Sequence, residues 1–152
     1  MKSCFFIGHR EASEEIFPEL AEAVERHIVD YSVTEFIVGN YGGFDRMAAR
    51  AVISAKASHP EISLLLLLPY HPAERPIETL PGFDGTFYPP GIESVPRRYA
   101  IVRANRYMID HVDYLIAYAW HPASNAKELT AYALRKGVVV TNLGEIHESK
   151  EE

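Results

Sequence analysis

Three junctions in this 152-residue chain carry groups suited to holding an anion. The first reads Gly8-His9-Arg10. A glycine lets a ligand approach the backbone, and an arginine two residues later offers a forked donor for phosphate or carboxylate. Arg10 reads equally as a solvated loop charge, and His9 either as a general acid or base or as a structural loop residue. The second junction, Gly39-Asn40-Tyr41-Gly42-Gly43-Phe44-Asp45, runs straight into a helical pattern. Its backbone N–H groups therefore stand at the positive end of a helix, and Gly42 and Gly43 are expected to leave that end open to a phosphate. Asp45 would repel a phosphate, so it either caps the helix or faces a ribose hydroxyl or base edge. The third junction, Trp120 through Glu128, places Ser124 or Asn125 as a helix cap, with N–H groups turned toward the same edge. Glu128 falls in the first turn, where a dipole-complementing carboxylate is the ordinary role and a catalytic base the sharper one.

A fourth feature is basic. Arg97, Arg98, Arg103 and Arg106 fall within ten residues of a chain whose formal charge is -6. Helical spacing puts Arg103 and Arg106 on one side and Arg98 on another, so the four do not share one ligand. They read as an anion site or an inter-subunit charge pair, with Asn105 among them as either a hydrogen-bonding group or an exposed polar position.

The elements that must position these residues follow from hydrophobic periodicity. Short apolar runs at 3–7, 36–38, 63–68, 114–118 and 138–141 read as strands, the first two closed by Gly8 and Gly39. Helical patterns occupy 14–31, 45–57, 99–111 and 126–136. In the first of these, Ile16, Leu20, Ala23, Val24, His27 and Ile28 share a face. Alternating strand and helix predicts a Rossmann-like, doubly wound α/β fold: a mainly parallel sheet with helices on both faces and ligands at the carboxyl ends of the strands. Residues 1–144 form one domain, and 145–152 a charged tail. Residues 70–96 hold six of the ten prolines with Phe83, Phe87 and Tyr88, which reads as an ordered lid hiding a short strand near 86–88.

Composition narrows the function. The negative charge argues against nucleic acid as the main partner, because phosphate-backbone binders usually present basic surfaces. Cys4 is the single cysteine and lies in an apolar run, and no histidine pair has metal-ligand spacing, so neither a disulfide framework nor a metal is expected. The glycine turn is neither G-x-G-x-x-G nor a P-loop, which demotes NAD binding and ATP hydrolysis, and no cofactor is expected. No stretch is long enough for a membrane span or signal peptide, so a cytoplasmic location is expected.

At Gly8-His9-Arg10, at Gly39 to Asp45 with Met47-Ala48-Ala49, at 103–110 leading to Asp113, and at 127–133, the chain resembles the SLOG superfamily, in particular its YpsA-like branch. The resemblance implies a Rossmann-like fold and binding of nucleotides or nucleotide-derived ligands. That superfamily includes ligand sensors, the DNA-processing protein DprA and the LOG phosphoribohydrolases. The P-G-G-x-G-T-x-x-E motif of the LOG enzymes corresponds here to Pro122 through Glu128, whose glycines are missing. The expected function is thus binding or sensing of a small phosphorylated, nucleotide-like ligand. The alternative is a nucleoside-monophosphate phosphoribohydrolase using Glu128, and the sequence leaves open whether any reaction is catalysed. Exposed arginines and aromatics are compatible with a homo-oligomer.

Overall fold

The structure, a computed structural model, describes residues 2–71 and 81–144. Six strands form one sheet: β1 (Lys2–Gly8), β2 (Val33–Val38), β3 (Ser63–Leu67), β4 (Gly85–Phe87), β5 (Tyr114–Tyr118) and β6 (Val139–Asn142). Their order is β4-β3-β2-β1-β5-β6, and every neighbouring pair is parallel. Four α-helices join them: α1 (Phe17–Val29), α2 (Gly43–Ala55), α3 (Ala100–His111) and α4 (Asn125–Arg135). The expected doubly wound α/β architecture is therefore the observed one.

Alternation along each strand decides which helices cover which face, since successive side chains point to opposite sides. On β1, Cys4 and Phe6 pack with Leu20 and Val24 of α1 and Met47 and Val52 of α2. Phe5 and Ile7 pack on the other side with Ala104 and Met108 of α3 and Leu129 and Ala133 of α4. Both faces of the central strands are dry, which is why those strands read as continuous apolar runs.

Chain order sets the position of the binding edge. From β1 the chain steps outward through β2 and β3 to β4, then returns by α3 to β5 on the other side of β1. Connections leaving β1 and β5 thus diverge to opposite faces, opening a crevice at their carboxyl ends.

Several element bounds depart from the periodicity for local reasons. The pattern at 14–31 begins as a 3-10 turn, Glu14–Ile16, because Pro18 occupies the first turn of α1 and donates no N–H. Within residues 70–96 the expected strand exists as β4, paired with β3. The charged tail 145–152 and residues 72–80 of the expected lid lie outside the described residues. Among the described residues, no helix is long and apolar enough to cross a membrane.

One buried polar group sits in the α1 face. The Nδ1 of His27 lies 2.6 Å from the Ala23 carbonyl oxygen, which makes it the protonated nitrogen, and its buried Nε2 has no hydrogen-bond partner among the described residues. The ring packs edge-on against Tyr31 and Tyr114. Burial pulls the imidazole pKa below its ordinary 6.5, because the charged ring cannot be solvated there. Unfolded protein then binds a proton that the folded protein does not, so stability is full above 6.5 and declines as the pH falls toward and through the lowered folded value. His27→Leu removes the orphaned nitrogen, whose burial costs about 1–3 kcal/mol. In urea titrations the variant should match or exceed the wild type at pH 7.5 and lose less stability than the wild type between pH 7 and pH 5. Parallel losses in the two proteins would show that other groups set the acid limit.

Candidate functional site

The crevice beside β1 is a cleft of about 270 Å³, close to the lower end of the range that small-molecule sites occupy. Its walls come from all three junctions and from α3. Of the residues singled out in the sequence, it brings together Gly8, His9, Arg10, Gly39, Gly42, Asp45, Asn105, Ser124 and Asn125. Asn40, Gly43, Arg98, Arg103 and Glu128 do not line it. Asn40, Arg98 and Glu128 are exposed, and Arg103 faces a separate cleft along α3.

The loop after β1 is fixed against the turn after β2 by backbone contact. The N–H of Gly43 donates to the Arg10 carbonyl at 2.6 Å. A Cβ on Gly42 would stand 2.5 Å from the Arg10 Cα, and one on Gly43 would stand 2.9 Å from the Arg10 carbonyl oxygen. The backbone of Gly42 is extended, with φ 172°, so steric room rather than a special conformation requires glycine here. Gly8 serves the same purpose for Phe44, whose ring atoms come within 2.3 Å of where a Cβ would be. These glycines therefore let two loops and a helix close on one another. The expectation of an open glycine turn is corrected at Gly43, whose N–H is spent on Arg10.

Asp45 caps its own helix and also lines the cleft. The Tyr41 N–H donates to its Oδ2 at 3.0 Å, a relative of the capping box in which a third-position carboxylate reaches back before the helix. Burial pushes the Asp45 carboxyl up to about 6, against the opposing pull of the Tyr41 N–H and of Arg46. A carboxyl in a cleft, titrating near neutrality, has the character of a functional group. Tyr41, a cleft residue that sequence reasoning passed over, was legible only through its four-residue spacing to Asp45.

His9 ties the first junction to the third. Its Nε2 accepts the N–H of Trp120 at 3.1 Å and that of His121 at 3.3 Å. A nitrogen accepting twice carries no proton, so the ring holds its proton on Nδ1. The ring also meets Tyr118 and Trp120 edge-on, each 5.6 Å between centroids. His9 is thus a positioning residue in this arrangement. On the far side, the Asn142 amide brackets the backbone of Ala119: Oδ1 accepts its N–H at 3.1 Å and Nδ2 donates to its carbonyl at 3.0 Å.

The third junction caps α4 through Ser124. Its Oγ accepts the Lys127 N–H at 3.1 Å and donates to the His121 carbonyl at 2.8 Å. Asn125 and Ala126, the first two helical residues, have no carbonyl four positions back within the helix, and both line the cleft. The positive end of α4 is accordingly the helix terminus turned toward the cleft, which the exposed Arg10 also lines. Glu128 is exposed on the outer side of that first turn. Among the described residues, no group of three or more His, Cys, Asp and Glu side chains is placed to hold a metal ion.

No family model matches the chain. No curated protein matches it. Among solved structures, it is similar to DNA processing protein A (DprA) from Streptococcus pneumoniae, with a TM-score of 0.64 and 15% identity over 93% of this chain and 50% of that one. It is similar as well to DNA processing protein A from Helicobacter pylori, with a TM-score of 0.62 and 14% identity over 93% of this chain and 64% of that one. The chain thus spans less than two thirds of either neighbour. The likeness shows the fold alone, a Rossmann-like α/β sheet shared with these two DNA processing proteins. The Helicobacter pylori structure is that of a protein that binds single-stranded DNA. This corrects the expectation that nucleic acid is not a main partner. A protein of this fold binds it, and net charge is a poor guide because contact depends on where cations are placed, not on their sum.

Two measurements check the geometry. Gly42→Ala should cost about 1–3 kcal/mol in urea unfolding, since the added methyl meets backbone and not a movable side-chain tip; an unchanged midpoint would mean the two loops are not in contact. Long-range 15N–1H correlation on His9 should show Nε2 as the unprotonated nitrogen at neutral pH, and a proton on Nε2 would contradict the bridge to Trp120 and His121.

Proposed function

We propose that the crevice beside β1 binds a small phosphorylated, nucleotide-like ligand, and that the chain belongs with the YpsA-like branch of the SLOG proteins. The observation that carries this reading is the convergence, in one cleft, of Arg10, Asp45 and the free end of α4. Those three groups divide a nucleotide between them. Phosphate goes to the N–H groups of Asn125 and Ala126 and to the Arg10 guanidinium, where the helix dipole and a forked donor favour an anion. The ribose goes to Asp45, because an ionised carboxylate accepts hydroxyl protons and repels phosphate. Tyr41 and Ile101 supply half-buried apolar wall for the remaining ring.

Binding is preferred over hydrolysis of the N-glycosidic bond. The carboxylate that a hydrolase reading requires, Glu128, is exposed and lies outside the cleft lining. Base release from nucleoside monophosphates should therefore be no faster in the presence of the protein.

Calorimetry separates the assignments. Arg10→Ala should weaken binding of a nucleoside monophosphate about ten- to a hundredfold, the worth of one charge-assisted contact, and leave the matching nucleoside unchanged. If Asp45 accepts ribose hydroxyls, ligand binding favours its ionised form. Affinity of the wild type relative to Asp45→Asn should then fall as the pH drops through about 6. A relative affinity that rises on acidification would place phosphate, not ribose, beside Asp45.

A further inference from the structure

A second cleft, of about 420 Å³, lies between α3, Tyr132 of α4 and the loop carrying Pro89 and Pro90, and its size is that of a small-molecule site. At about 100° per residue, Arg103, Arg106 and Asp110 share one side of α3, and they line this second cleft. Ile101 and Asn105 stand on the opposite side and line the crevice beside β1. One helix therefore separates two clefts that have no lining residue in common.

Charge in the second cleft is unbalanced. Arg103 and Arg106 line it, and three cations crowd the Tyr132 ring: Arg106, Lys136 and Arg135 lie 5.3, 5.6 and 6.0 Å from its centroid. Against these four cations the lining holds one acid, Asp110. That acid is already compensated, since it accepts the Tyr132 hydroxyl at 2.7 Å and pairs with Lys136 at 3.5 Å. Arg103, Arg106 and Arg135 have no carboxylate partner among the described residues, whereas Arg26, Arg50 and Lys56 each do. Uncompensated cations held this close repel one another, and an anion seated between them relieves that repulsion.

The remaining geometry limits the kind of anion. Arg103 and Arg106 are three residues apart, about 4.5 Å along the axis, the scale on which one small molecule carries neighbouring oxyanion groups. Their forked donors suit phosphate and carboxylate alike. Ile92, Val95 and Tyr107 add an apolar wall for a carbon skeleton, with the Tyr107 ring held by stacking on His111 at 4.0 Å between centroids.

We infer that this second cleft binds a small molecule bearing two or more adjacent phosphate or carboxylate groups. Calorimetry on the whole chain in low-salt buffer tests it, with inorganic pyrophosphate and citrate as probes; the tighter of the two identifies the oxyanion. That probe should bind more tightly than inorganic phosphate or acetate, which present a single group. Arg103→Gln/Arg106→Gln should weaken it about tenfold or more through lost charge-assisted contacts, with the melting temperature unchanged because both side chains are exposed. Asp110→Asn should tighten it about threefold, because the competing charge is gone while the amide oxygen still accepts the Tyr132 hydroxyl. A misfolded variant cannot imitate that gain. Binding should persist in Arg10→Ala. Absence of binding by both probes, wild-type affinity in the double glutamine variant, or affinity that does not rise in Asp110→Asn would each overturn the inference. Probe binding lost in Arg10→Ala but kept in the double variant would place the anion in the crevice beside β1, sinking this inference while leaving the crevice reading intact.

Discussion

Everything at the binding edge depends on a backbone approach that only glycine permits. The Arg10 main chain sits where a Cβ on Gly42 or Gly43 would have to go, and the Gly43 N–H closes the gap with a hydrogen bond. Because this contact joins the ends of β1 and β2, the Arg10 main chain is held over the start of α2 while the residue stays exposed. Phe44 then tucks against Gly8, and Asp45 reaches back to the Tyr41 N–H. A rigid loop carrying a charge loses little entropy on binding, which is how a preorganised site gains affinity from few contacts.

The same logic runs across the crevice to β5. His9 accepts two successive N–H groups from Trp120 and His121, and Asn142 brackets the residue just before them. Side-chain acceptors thus stand in for strand partners at the point where the two halves of the sheet part. These bonds fix the start of α4, and with it the residues Asn125 and Ala126 that line the cleft. Charge is less evenly placed: four exposed arginines fall between Arg97 and Arg106 with no acidic residue among them.

Much of this architecture was legible in the sequence for a physical reason. Strands dry on both faces show as apolar runs, and glycines at Gly8 and Gly39 mark their ends. Ser124 was readable as a cap because its hydroxyl satisfies a first-turn N–H that nothing else reaches. The purpose of the glycine turn was not legible. Glycine admits either a ligand or another stretch of backbone, and nothing local tells Gly43 that Arg10 lies above it. The same limit applies to Arg103: helical spacing separates it from Arg98, yet only the packing of α3 on the sheet decides which side faces the crevice. His9 illustrates a third case, since its two partners lie more than a hundred residues away in the chain.

The central claim is that the crevice beside β1 takes a phosphorylated nucleotide, with phosphate at the start of α4 and ribose at Asp45. Backbone chemical-shift mapping on 15N-labelled protein titrated with a nucleoside monophosphate tests it most directly. The account predicts the largest shifts at Arg10, at Tyr41 and Asp45, and at Asn125 and Ala126, with the last pair reduced when the phosphate is absent. Shifts confined to other surfaces, or none at saturating ligand, would contradict it.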